Sequence, residues 1–166
     1  MAHEIRTRQC QRDVHYSKAN VTSNQSVYGS SSPKTASGGG ATYTPTSGAS
    51  YVIVEYTVMV SDRYDYNNIY FNLQLSSDGT SFTSVGSGYT VAVGQITDNP
   101  SSNQYCGFFQ DTFRWLVPTS IWSGERTTKI IATSEGNESG SYLHYLEYSD
   151  NANMDYYNPH LKIYSI

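Results

Sequence analysis

Tyr51-Val52-Ile53-Val54-Glu55-Tyr56-Thr57-Val58-Met59-Val60 is the stretch that decides the fold. Val52, Val54, Tyr56, Val58 and Val60 occupy every second position, the period of a β-strand with one buried face. β-Branched and aromatic residues dominate it, and these types pack well on a pleated surface. The intervening Tyr51, Ile53, Glu55, Thr57 and Met59 are less apolar without being plainly solvent-like.

The same alternation recurs along the chain. Ile69, Phe71, Leu73 and Leu75 alternate with Tyr70, Asn72 and Gln74, and Asp78-Gly79 then supplies a hairpin signal. Strand-like residues follow at 82–85 and 89–96, and residues 97–107 read as a loop. Strands resume at 108–117, 127–134, 142–148 and 160–166. About eight strands with frequent turn signals predict an all-β antiparallel β-sandwich, a jelly roll. Both faces of several strands carry apolar residues, which predicts subunit contacts. The last strand, His160 to Ile166, is too apolar to fray and is expected in a central position.

Composition agrees. Of 166 residues only 14% are charged, and 16 are Tyr. A helical bundle would be rich in Ala, Leu, Glu and Lys, and a disordered chain would be poor in aromatics. The formal net charge of −4 is unevenly spread: residues 1–40 carry five basic groups against two acidic ones. The sequence therefore divides into an extended N-terminal arm (1–28), a Gly/Ser-rich linker (29–41) and a jelly-roll domain (42–166). Arg6, Arg8, Arg12 and Lys18 of the arm are placed to meet an acidic neighbour. The overall charge gives no footprint for nucleic acid. No apolar run is long enough for a membrane span. The polar start lacks the apolar core of a signal peptide, so synthesis in a cytoplasm is expected.

The residues that carry chemistry are sparse. Cys10 and Cys106 could form one bridge or none, and neither has the neighbours of a zinc site. Asp62 to Asn68 fails the EF-hand pattern, although a looser oxygen site stays open there. No Gly-x-Ser-x-Gly elbow and no phosphate-binding loop occur. Most acids sit in turns, as turn formers do. Glu55 and Glu147 are the only strand carboxylates that could serve a glycosidase, and nothing pairs them. No cofactor, no metal and no enzyme activity is expected. The Tyr- and Asn-rich segments 62–70 and 148–157 suit a sugar site, and suit a protein interface better.

Three segments together resemble a known family. They are Tyr43-Thr44-Pro45-Thr46 running into Tyr51–Tyr56, Leu116-Val117-Pro118-Thr119 followed by Thr127–Thr133, and Pro159–Ile166. Their order over residues 42–166 resembles short virion proteins of tailed bacteriophages with a tumour-necrosis-factor-like or complement-head-like jelly roll. The resemblance implies a homotrimer around a threefold axis lined by aromatic residues. Tyr56, Tyr142, Tyr145 and Tyr157 are the candidates for that trimer interface, with Leu161 and Ile163 of the last strand. It also implies a virion location, on the capsid surface or the tail. Two roles follow. One is a capsid decoration (cement) protein whose arm grips the major capsid protein. The other is a receptor-binding knob or tail-fibre tip for a host surface glycan or protein, which the absence of a coiled coil or repetitive shaft disfavours.

Overall fold

A computed structural model describes residues 13–23, 25–27, 33–62, 69–85, 89–91, 107–134, 141–144 and 156–166. Twelve strands and no helix occur among them. In chain order they are β1 (Val14–Lys18), β2 (Gln25–Ser26), β3 (Lys34–Thr35), β4 (Thr42–Tyr43), β5 (Tyr51–Asp62) and β6 (Ile69–Ser76). Then come β7 (Thr83–Ser84), β8 (Tyr89–Val91), β9 (Gly107–Pro118), β10 (Arg126–Ser134), β11 (Ser141–Leu143) and β12 (His160–Ser165).

Short strands that share a neighbour merge into columns. In the first sheet β5 pairs with β9 along one side. Its other side takes β12 and then β11, which are edged in turn by β1 and β2. In the second sheet β10 lies beside β6; β3 and β4 share its outer edge, and β7 and β8 share the outer edge of β6. Every ladder is antiparallel. The result is two sheets of four columns each, and from one column to the next the chain changes sheet at every step except the one from β6 to β7. This order is the double Greek key of an eight-stranded jelly roll.

Alternation fixes which faces meet. Val52, Val54, Tyr56, Val58 and Val60 of β5 are fully or almost fully buried, as are Ile69, Phe71 and Leu73 of β6 and Ile130 and Ala132 of β10. Phe113, Trp115 and Val117 of β9 and Leu161 and Ile163 of β12 complete the layer between the sheets. Phe71 and Phe113 stack across it with ring centres 4.4 Å apart. At one end Trp122 closes the core. Its indole N–H donates to the Tyr43 carbonyl (3.2 Å), and its ring meets Tyr43 edge-on. The Tyr43 hydroxyl donates to the Asp13 carbonyl (2.8 Å) and bonds Ser165 Oγ (2.7 Å), tying β4 to the adjoining ends of β1 and β12.

The expected strand at 51–60, the strands at 69–75 and 127–134 and the Asp78-Gly79 turn are all present. Asp78 Oδ1 accepts from the backbone N–H of Thr80 and Ser81, and Gly79 takes φ +73°. The final strand is central, between β1 and β5, as expected.

Two expectations about the N-terminal third need correction. Among the described residues sheet pairing begins at Val14, far inside the supposed arm, and Val27 is a fully buried core residue. The Gly/Ser segment is no free linker where it is described. Lys34–Thr35 pairs with β10, and Ala36 is buried. Glycine serves close approach here. A Cβ on Gly39 would lie 2.7 Å from Ile130 Cβ, and one on Gly38 (φ +74°) would lie 2.8 Å from Ala19 Cβ. Arg6, Arg8, Arg12 and Cys10 lie outside the described residues, as do Cys106, Tyr145 and Glu147.

Candidate functional site

The outward face of the first sheet is the best candidate for a working surface. Antiparallel register places directly opposed residues on one face, so the face can be read in rows across β1, β12, β5 and β9. One row is Val14, Tyr164, Ile53 and Leu116; the next is Tyr16, Lys162, Glu55 and Arg114; the third is Lys18, His160, Thr57 and Thr112. Tyr51 and Ile166 form a further row beyond the first, joined by paired backbone hydrogen bonds.

This face is apolar at one end and charged in its middle. The described residues include six exposed large hydrophobic side chains, and five are here: Val14 (49%), Tyr16 (58%), Tyr51 (39%), Leu116 (52%) and Ile166 (44%). A cluster of that kind differs from the scattered apolar residues that any surface carries. The sixth, Ile121, lines a cavity of about 260 Å³ on the second sheet with Leu75, Val85 and Arg126. That cavity is smaller than the roughly 300 Å³ at which ligand pockets begin.

In the middle row the Glu55 carboxylate is fully engaged. Arg114 Nε approaches Oε1 at 3.4 Å, Lys162 Nζ approaches Oε2 at 3.3 Å, and the Tyr164 hydroxyl donates to Oε1 at 3.2 Å. Arg114 also donates to the Tyr164 oxygen (3.1 Å), and the Lys162 ammonium lies 4.7 Å from the centre of the Tyr164 ring. Sequence analysis singled out Glu55 as a catalytic candidate. Its neighbours are two cations and a phenol, with no second carboxylate among its described contacts, so the two-acid geometry of a glycosidase is not built around it.

An aromatic ledge flanks the charged row. The Tyr16 hydroxyl meets His160 Nδ1 at 2.6 Å, and Tyr157 stacks on the His160 ring with centres 5.9 Å apart. Burial, with the neighbouring Tyr16 in second place, pushes the Tyr157 hydroxyl above its ordinary pKa.

The expected trimer-interface residues separate into three groups. Tyr56, Leu161 and Ile163 have no exposed surface and pack inside the chain's own core. They present nothing to a second chain, and their alternation signalled the inner face of the sandwich. The Tyr56 hydroxyl donates to the Ser37 carbonyl (2.7 Å), and burial raises its pKa. Tyr142 and Tyr157 are half-buried, and Tyr145 lies outside the described residues; Lys18, expected in the capsid-contact arm, is exposed on β1. Val14, Tyr16, Arg114 and Leu116 escaped sequence reasoning. The signal for them is the register of β1 and β9 against the rest of the sheet, which no local pattern contains.

Among the described residues no three His, Cys, Asp or Glu side chains gather as metal ligands. No helix there could cross a membrane. No family model matches the chain. No curated protein matches it. Solved structures similar to it include the infectious bursal disease virus VP2 subviral particle, at 13% identity and TM-score 0.48, covering 94% of this chain and 38% of that one. The Gt strain of the same virus gives 13% identity and TM-score 0.46, with coverage of 94% and 38%. The T13 particle of that virus gives 12% and 0.46, with coverage of 93% and 35%. The chain thus spans little more than a third of the length of these capsid chains. The jelly roll itself rests on the ladder order described above.

Proposed function

We propose that this protein is a virion structural protein, a trimeric bacteriophage capsid decoration protein that binds and stabilises the capsid shell. The observation that carries the proposal is the apolar and cationic outward face of the first sheet, which nothing in the described chain covers. A jelly roll is an architecture that capsid proteins use, although fold alone assigns no role. A work surface made of side chains suited to contact favours binding as the function. A decoration protein that binds only the assembled shell shifts the assembly equilibrium toward it by mass action. Arg6, Arg8 and Arg12 add positive charge for an acidic patch on the shell, with Lys18 on β1 continuing it.

The test is re-addition of purified protein to shells that lack it, with occupancy read by electron microscopy and shell stability by thermal melting. Full occupancy and a raised melting temperature are expected. Deleting residues 1–12, which keeps every described strand, should reduce occupancy; no binding by the full chain would end this reading. A receptor-binding knob is the second reading, and the Tyr16–His160–Tyr157 ledge favours it, since aromatic faces beside polar groups hold sugars. Binding of the isolated protein to a glycan array, lost in Tyr16→Ala, would move the assignment there.

A further inference from the structure

We infer that the outward face of the first sheet receives an acidic amphipathic helix of the shell protein, lying across the strands. The inference rests on the proposed shell-binding function and names the partner element that this face takes. The face sorts its chemistry by row. Val14 and Leu116 stand exposed at the two ends of the first row, and Tyr51 and Ile166 stand exposed beside its middle. Ile53 and Tyr164, nearly buried between them, make a level floor. The next row holds Lys162 and Arg114, with side chains 45% and 57% exposed, on either side of Glu55. Among the described residues Glu55 is the one carboxylate in the outward rows of β1, β12, β5 and β9, and Lys18 adds a third cation in the row beyond. The face therefore complements a partner that sets carboxylates beside an apolar stripe.

Orientation decides the kind of element. The rows run across the strands, so an extended segment laid along the strands would meet apolar, charged and polar rows in turn. An element laid across them keeps one row beneath each flank. Four columns about 4.8 Å apart span roughly 14 Å, the length of about ten helical residues. Neighbouring rows are separated by roughly 7 Å, within the breadth of a helix at about 10–12 Å. Lys162 and Arg114 lie two columns apart, about 10 Å, which matches positions i and i+7 on one side of a helix. Position i+4 falls over Glu55, where a third carboxylate is repelled. Packing a helix on a sheet is also a standard way to bury an apolar sheet face.

The test uses two synthetic helical peptides with the same apolar stripe and Glu at i and i+7; the second adds Glu at i+4. Binding to the full chain is read by fluorescence anisotropy, and thermal melting checks that each variant folds. The first peptide should bind, and Leu116→Ser or Arg114→Gln should weaken it at least about tenfold. The second should bind at least about fivefold more weakly in spite of its greater negative charge. Glu55→Gln should erase that difference. Equal or tighter binding of the second peptide to the wild-type chain, or a difference that survives in Glu55→Gln, overturns the placement across the strands. Binding of neither peptide overturns the helical occupant, while re-addition to shells reports separately on shell binding. Peptide binding without shell occupancy supports the helix-binding face and overturns the shell as the source of the helix. An oligomer that Leu116→Ser disperses and the first peptide leaves intact assigns the face to a second copy and overturns the inference.

Discussion

His144 is the oddest residue in the chain. It is fully buried at the end of β11, takes φ +70°, and has no hydrogen-bond partner for either ring nitrogen among the described residues. Its backbone is well used: the N–H donates to the Met59 carbonyl (2.8 Å), and its own carbonyl accepts from Tyr157 (2.9 Å). Burial disfavours the charged imidazolium and lowers the pKa from 6.5 to about 4. Between those values the unfolded chain binds a proton that the folded chain does not, so acid favours unfolding. The contribution of neutral His144 is fully present above pH 6.5 and is lost as pH falls toward 4, at no more than about 1.4 kcal/mol per pH unit. Denaturant titrations at pH 7, 5.5 and 4.5 should show this fall. His144→Asn, which keeps a side chain tolerant of positive φ, should flatten it; an unchanged slope would assign the acid sensitivity to other groups. Sequence reading passed over His144 because a histidine in an alternating strand looks ordinary, and its burial depends on packing from β5 and the segment before β12.

Elements differ in how legible they are. The strands β5, β6, β9 and β10 are 8 to 12 residues long, enough for alternation to announce them. The strands β2, β3 and β4 have two residues each, too few for any period, and their identity lies in what they pair with. Gly/Ser-rich sequence around β3 reads as a flexible connection for that reason. The two roles predict opposite responses to a larger side chain. Gly39→Val should lower stability by about 1–3 kcal/mol through overpacking against Ile130, read as a reduced denaturation midpoint with unchanged m. A true linker would change by less than about 0.5 kcal/mol. At the sheet edge, β9 pairs only with β5 among the described residues. Its exposed Asp111 and Arg114 place charges along a 12-residue edge, a common means of discouraging edge-to-edge pairing.

At the scale of the molecule, sequence analysis reaches the fold class, because it follows from which residues are apolar and how often. It does not reach the work surface, since Glu55, Arg114 and Lys162 come from three strands and meet only through register. Nor does it reach the place of β1 in the first sheet. Deleting residues 1–18 should therefore lower the melting temperature by at least about 5 °C relative to deleting 1–12, because it strips β1 from β12; equal melting temperatures would show that β1 adds nothing to the domain.

The pairing of β1 with β12 also sets a timetable for synthesis. Tyr16 and His160 touch across 144 residues of chain, so β1 leaves the ribosome early and its ladder partner emerges late. During that interval the nascent protein holds an unpaired strand and an incomplete first sheet, while the second sheet needs nothing beyond β10. Such dependence on distant contacts slows folding, and exposed strand edges invite aggregation while it lasts. The second sheet has all its described strands before the first can close, which makes β12 the strand that locks the sandwich.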